Sequence, residues 1–204
     1  MASVPRPVSA RIAGPADVDA VVETLTTAFF DDPLWGPAFP DPGRRARQAA
    51  VMWRLFVSSA LRYPWTLVTR NAESAAVWIP PGGSELTSEE EEDGMKGLLT
   101  GSASPEVAEG VLRICDQFAA ARPSEPHFCL TLLGTHDAHR GKGLGMGLLA
   151  ESLARIDALG APAYLESSNP ANLARYERAG FAAHGRITVA TGHVVTTMWR
   201  PAVS

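Results

Sequence analysis

The chain has 204 residues, 46% apolar and 20% charged, with a formal net charge of −4 and two cysteines. That is long for one average domain, short for two, and enough to bury a sizeable core. The acidic balance argues against a basic nucleic-acid-binding face, and no apolar run reaches the ~18 residues of a membrane span. The N-terminal MASVPRPVSARIAGPADVDA lacks the apolar core of a signal peptide. Cys115 and Cys129 lie on apolar segments without metal-type spacing, which predicts buried thiols in a reducing compartment. The expectation is one cytoplasmic domain over residues 1–204, with no metal, no membrane partner and no nucleic acid.

In chain order, residues 8–13 predict a short strand. Val18, Val21, Val22, Leu25 and Phe29 predict a helix over 17–30. The segment DDPLWGPAFPDPG (31–43) predicts a loop, and 44–61 a second helix ended by Pro64. TLVTR (66–70) and SAAVWIP (74–80) predict a hairpin. The charge run SEEEED (88–93) suits a solvated helix start, where carboxylates favour the dipole; a metal or partner site is the alternative. Ser104 and Pro105 form a cap and first position for a helix over 105–121. HFCLTLLGT (127–135) reads as a central strand. A helix over 143–159, a strand at AYLES (163–167), a short helix over 170–179 and strands over 181–189 and 193–199 follow. The second half thus alternates β, α, β, α, β, β, which predicts an α/β (α+β) mixed sheet with helices packed on it.

HRGKGLGMGLL (139–149) places four glycines within seven residues at the start of a helix. Helix starts leave backbone N–H groups unpaired and are electropositive. A strand, a glycine turn and a helix N-terminus together make a phosphate cradle. No P-loop string is present. A dinucleotide fingerprint is formally met by Gly145, Gly147 and Ala150, but it lies inside the helix pattern without a ribose-binding acid in context.

A third pattern, [QR]-x-x-G-x-[GA], is met by Arg140, Gly143 and Gly145. Here the chain resembles the pyrophosphate loop of the GNAT acetyltransferase superfamily. Downstream, LESSNPANLARYERAGF (165–181) resembles that family's second motif, and ARPSEP, GKGLG, LES and NLxxYERxGF are most similar to its puromycin N-acetyltransferase branch. The resemblance implies a mostly antiparallel central sheet of about six to seven strands, helices on both faces and two parallel strands splayed around acetyl-CoA. It divides the chain into acceptor-side elements (1–125) and a cofactor-binding core (126–204). A homodimer, common in the family, is the assembly it suggests. The chain has Thr135-His136-Asp137 where many members have Val-x-Pro.

The same resemblance implies that Leu133, Gly134 and Thr135 bind the pantetheine arm through their backbone. It implies that Arg140, Gly141, Lys142, Gly143, Leu144 and Gly145 hold the pyrophosphate, and that Asn169 and Asn172 cap the following helix or meet the arm. Tyr176 is the expected general acid to the departing CoA thiolate; the alternative is a tyrosine packed under its helix. Glu166 and His127 are candidates for the base that takes the amine proton, with Glu166 also a candidate to position the amine; a purely structural carboxylate, or water relaying the protons, is the alternative. Phe30, Asp31, Asp32 and Trp35 are the expected acceptor contacts, since carboxylates with aromatics suit an amine with an apolar body; otherwise these are a turn cap and core aromatics. His184 and His193 are expected to be ordinary strand or surface residues. The activity implied is N-acetylation of a primary amine of a small molecule. A protein or peptide N-acetyltransferase and a non-catalytic acyl-CoA sensor are the alternatives.

Overall fold

Seven strands form a single sheet in the order β1-β2-β3-β4-β5-β7-β6. In this computed structural model, residues 8–100 and 104–203 are described, so the first seven residues of the N-terminal segment lie outside them. The strands are β1 (Ala10–Ile12), β2 (Thr66–Thr69), β3 (Ser74–Ile79), β4 (Phe128–Thr135), β5 (Ala163–Ser167), β6 (Ala182–Thr188) and β7 (Val194–Arg200). Every neighbouring pair is antiparallel except β4–β5. The expected mixed, mostly antiparallel sheet with a central parallel pair is what the chain forms.

The helices are α1 (Val18–Phe29), a one-turn α2 (Trp35–Ala38), α3 (Pro42–Ala60), α4 (Ser88–Thr100), α5 (Pro105–Ala121), α6 (Leu144–Asp157) and α7 (Leu173–Arg178). They cover both faces of the sheet, because a strand buried on two faces sends alternate side chains each way. In β3, Ala75, Val77 and Ile79 join the core beneath α1, α3 and α5, whereas Ala76 and Trp78 join the core beneath α6 and α7.

Strand β4 breaks this alternation at one point. Cys129 faces the α1/α3/α5 core and Leu130 the α6 core, yet Leu132 faces the α1/α3/α5 core again. The register explains why: Val77 pairs with Leu132 and Trp78 with Leu130, leaving Thr131 as a bulge. A bulge bends its strand and reverses side-chain parity beyond it. The parallel β4–β5 ladder ends at this place, with Leu130 opposite Leu165 as its last pair. The strands therefore splay from Thr131 onward.

Two sequence boundaries shift. The 31–43 segment is not a plain loop: the Asp32 carboxylate accepts from the Leu34 and Trp35 amides at 2.9 and 3.2 Å and starts α2. Asp41 accepts from the Gly43 amide at 2.9 Å, so α3 begins at Pro42 rather than Arg44. In α4 the acidic run has a local use. Glu90 and Thr87 form a reciprocal capping box, and Glu90 also pairs with Arg62 at 2.6 Å. Among the described residues no helix is long and apolar enough to cross a membrane.

Candidate active site

The splay opens a groove of about 510 Å³ between the C-terminal ends of β4 and β5. One wall is the free edge of β4, since Leu133, Gly134 and Thr135 pair only with β3 on their other side. The end of the groove is the turn into α6. Gly143 caps this helix in the left-handed region (φ 78°), with no side chain capping it. The Gly147 amide is the first to reach a carbonyl, that of Gly143. The preceding amides of the first turn have no partner within the helix, and Gly143, Leu144, Gly145 and Met146, which carry this turn, line the groove. Such a helix start offers backbone donors to an anion.

Glycine serves two different ends here. Gly143 supplies a backbone conformation that a side chain resists. At Gly134, by contrast, a Cβ would lie 2.9 Å from Leu25 Cδ2 and 3.0 Å from Ala28 Cβ, so its absence lets α1 lie against the end of β4.

The groove lining brings together eleven of the twelve expected cofactor contacts: Leu133, Gly134, Thr135, Arg140, Gly141, Gly143, Leu144, Gly145, Asn169, Asn172 and Tyr176. Lys142 is outside it. Its ammonium lies 3.2 Å from His139 Nδ1 and 3.4 Å from the Ala138 carbonyl, holding the turn. Arg140 lines the groove, but its guanidinium donates to the Thr27 and Ala28 carbonyls at 3.0 Å each. That side chain ties the anion loop to the end of α1. Asn169 caps the turn before α7 by accepting from the Ala171 amide at 3.0 Å. Asn172 Oδ1 accepts from Arg175 at 2.8 Å.

A side cavity of about 50 Å³ adjoins the groove. Phe29, Leu133, Asn172 and Tyr176 line both spaces, so Tyr176 stands at their junction. Aromatic Trp35 and Phe118 wall the cavity, and Thr131, Glu166, Ser167 and Ser168 bring polar groups to it. Burial pushes the Tyr176 phenol up to about 12, with the charge of Asp32 adding to the effect, so it stays protonated at neutral pH. Burial raises the Glu166 carboxyl to about 7, against the pull of Arg122. A carboxyl near that value exchanges a proton readily at neutral pH.

The expected acceptor residues divide. Trp35 is buried, edge-on to Trp53 at 5.3 Å between ring centroids, with part of its surface on the side cavity. Asp32 is also buried and lines the groove. Besides capping α2 it accepts from the Ser168 hydroxyl at 2.8 Å, fastening the α1–α2 turn to the end of β5. Asp31 lies exposed at the groove mouth. Phe30 departs from expectation: its ring lies under the Arg45 guanidinium, 5.1 Å away, and lines neither space, because the end of α1 turns it toward α3.

His127 is also remote. It precedes β4, at the end opposite the splay, between the rings of Tyr164 and Trp199. Glu166 is thus the base candidate that reaches the cavity. His193, expected to be ordinary, has Nε2 2.6 Å from the Ser168 carbonyl and fixes the turn after β5. Sequence reasoning missed Glu85, Arg122 and Thr131. Arg122 Nη2 lies 2.7 Å from Glu85, its Nε 3.5 Å from Glu166, and the Thr131 hydroxyl donates to Glu85 at 2.6 Å. Only Arg122, inside the ARPSEP string, carried any signal.

Comparison with known proteins agrees with this geometry. Residues 102–200 match the Acetyltransferase (GNAT) domain family. Among solved structures the chain is similar to a histone acetyltransferase HPA2 and related acetyltransferase from Corynebacterium glutamicum, at 23% identity over 97% of this chain and 98% of that one (TM-score 0.71). It is similar to arylalkylamine N-acetyltransferase 2 from Aedes aegypti, at 14% identity over 96% and 99% (TM-score 0.64). It is also similar to a chain of the NatC complex bound to Gag peptide and CoA, at 11% identity over 97% and 99% (TM-score 0.54). The GNAT match over residues 102–200 spans β4, the turn into α6, β5 and α7, the elements that line the groove, and with that groove it marks the protein as an N-acetyltransferase with acetyl-CoA as its acetyl donor.

Proposed function

We propose that the protein acetylates a primary amine of a small molecule by direct attack of the amine on acetyl-CoA. The observation that carries this reading is the side cavity, small and walled by Phe29, Trp35 and Phe118, with one buried carboxyl, Glu166, on its lining. Aromatic walls and a carboxylate suit a compact cationic amine with an apolar body. Glu166 takes a proton from the ammonium. The amine nitrogen bonds to the acetyl carbonyl carbon as the C–S bond breaks, Tyr176 gives its proton to the departing sulfur, and the second proton that the nitrogen sheds on becoming an amide restores the tyrosine. Leu133 to Thr135 hold the pantetheine arm, and the amides of residues 141–145 hold the pyrophosphate.

In this reading residues 1–125 supply the acceptor walls and residues 126–204 the cofactor site, within one domain. The resemblance of ARPSEP, GKGLG, LES and NLxxYERxGF to the puromycin N-acetyltransferase branch supports a small amine as acceptor, and with it a resistance or metabolite-modifying role. A peptide acceptor is the second reading, since a similar structure is named as a complex with a peptide. The test is thiol release from acetyl-CoA across puromycin, arylalkylamines, polyamines, aminoglycosides, amino acids and short peptides. Turnover with small amines and none with peptides is expected. Turnover with peptides alone would overturn the small-molecule reading. Tight acetyl-CoA binding without thiol release on any acceptor would favour a sensor.

A further inference from the structure

We infer that Arg122 and Glu85 are positioning residues for Glu166: the guanidinium, held by Glu85, orients the Glu166 carboxylate beside the side cavity and governs how readily it takes a proton. The inference rests on the proposed role of Glu166 for its catalytic meaning, but the geometry stands by itself. Arg122 immediately follows α5. The Tyr164 hydroxyl reaches back to the Ala121 carbonyl at 3.4 Å and fixes this corner to β5. Glu85, in the segment between β3 and α4, is gripped from two sides, by Arg122 and by the hydroxyl of Thr131. Thr131 is the bulge residue itself, so the irregularity that splays the sheet also anchors this cluster.

The guanidinium is shared unequally. It lies 2.7 Å from Glu85 but 3.5 Å from Glu166, whose side chain is only 3% exposed. Two carboxylates thus face one cation in a space largely closed to water. With both carboxyls ionised such a cluster carries one negative charge more than its cation neutralises, and the buried member is the costlier to ionise. The groups acting on Glu166 are Arg122 from the end of α5, Glu85 from the β3–α4 segment and Tyr164 from its own strand, with the Cys129 thiol on β4 coupled to the same charges. Glu85 has two opposed effects. It fixes the guanidinium in place, and it withholds part of that positive charge from Glu166. The surplus negative charge is suited to the ammonium of the acceptor.

This arrangement predicts shifts of opposite sign, which loss of mere structural support does not produce. The measurement is a 13C carboxyl NMR titration of the full chain with labelled glutamate, without acetyl-CoA, with the Glu166 resonance assigned by its loss in Glu166→Gln. Glu85→Gln removes a like charge and frees the guanidinium, so the Glu166 midpoint should fall by about one pH unit. Arg122→Met removes the cation, so the midpoint should rise by a similar amount, and Arg122→Lys should restore most of the difference. No movement in either variant, or movement in the same direction in both, overturns the inference. If Arg122→Met does not fold, Glu85→Gln decides alone: a fall supports the inference, and no change or a rise refutes it. The pH dependence of kcat/KM separates this from the parent reading. If the midpoints move as expected while the acid limb of the rate profile stays fixed, the inference about positioning stands and Glu166 is not the base.

Discussion

Replacing Glu166 by glutamine should remove activity and yet stabilise the fold at alkaline pH. Folding raises this carboxyl from 4.5 to about 7, chiefly through burial. A group raised on folding binds its proton more tightly in the native state. The stability it contributes is complete below its unfolded value and is lost as pH rises through its folded value. About 2.5 units at 1.36 kcal/mol each gives a cost of about 3 kcal/mol once both states are ionised. Glutamine cannot ionise and escapes it. The stability of the variant relative to wild type should therefore improve by about 2–3 kcal/mol between about pH 5 and about pH 8. Urea unfolding followed by the fluorescence of the five tryptophans reads this directly. A difference between the two proteins that does not change with pH would refute the claim that Glu166 is buried against its own ionisation.

Tyr176→Phe should lower kcat by about 10²–10⁴-fold in thiol-release assays, while calorimetry finds acetyl-CoA binding nearly unchanged. Gly143→Ala forces a side chain onto φ 78° at the first turn of α6; it should cost about 1–2 kcal/mol in urea unfolding and weaken acetyl-CoA binding. Asp32→Ala removes the cap of α2 and the link to Ser168; a stability loss of about 1–2 kcal/mol and a several-fold rise in the acceptor KM should follow. Arg140→Met frees the anion loop from the Thr27 and Ala28 carbonyls. The KM values for acetyl-CoA and acceptor should rise together, because α1 carries Phe29 to the junction of the two spaces.

Much of the architecture was legible because it depends on local chemistry. Ser104-Pro105 starts α5 as its cap and first position dictate. The glycine run starts α6, since a left-handed cap and bare amides are backbone properties written into the residues themselves. Asn169, Asn172 and Tyr176 line one groove, as the family resemblance of the LESSNPANLARYERAGF string, rather than local chemistry, implied.

Side-chain direction is not local, and there the sequence was silent or misleading. Phe30 and Trp35 lie five residues apart, yet one turns under Arg45 and the other packs on Trp53, because their surroundings come from α3. Lys142 sits inside the anion motif but spends its charge on the turn. Nothing in HFCLTLLGT marks Thr131 as a bulge. Only pairing with β3 reveals the extra residue that parts β4 from β5 and reverses the faces beyond it. The sequence by itself determined most of the strand and helix order and the glycine turn that starts α6. The tertiary structure decided which side chains line the side cavity and that Glu85, Arg122 and Glu166 meet. Those three lie 37 and 44 positions apart along the chain, and only the packing of α5 and the β3–α4 segment against the splayed strands brings their charges within reach of one another.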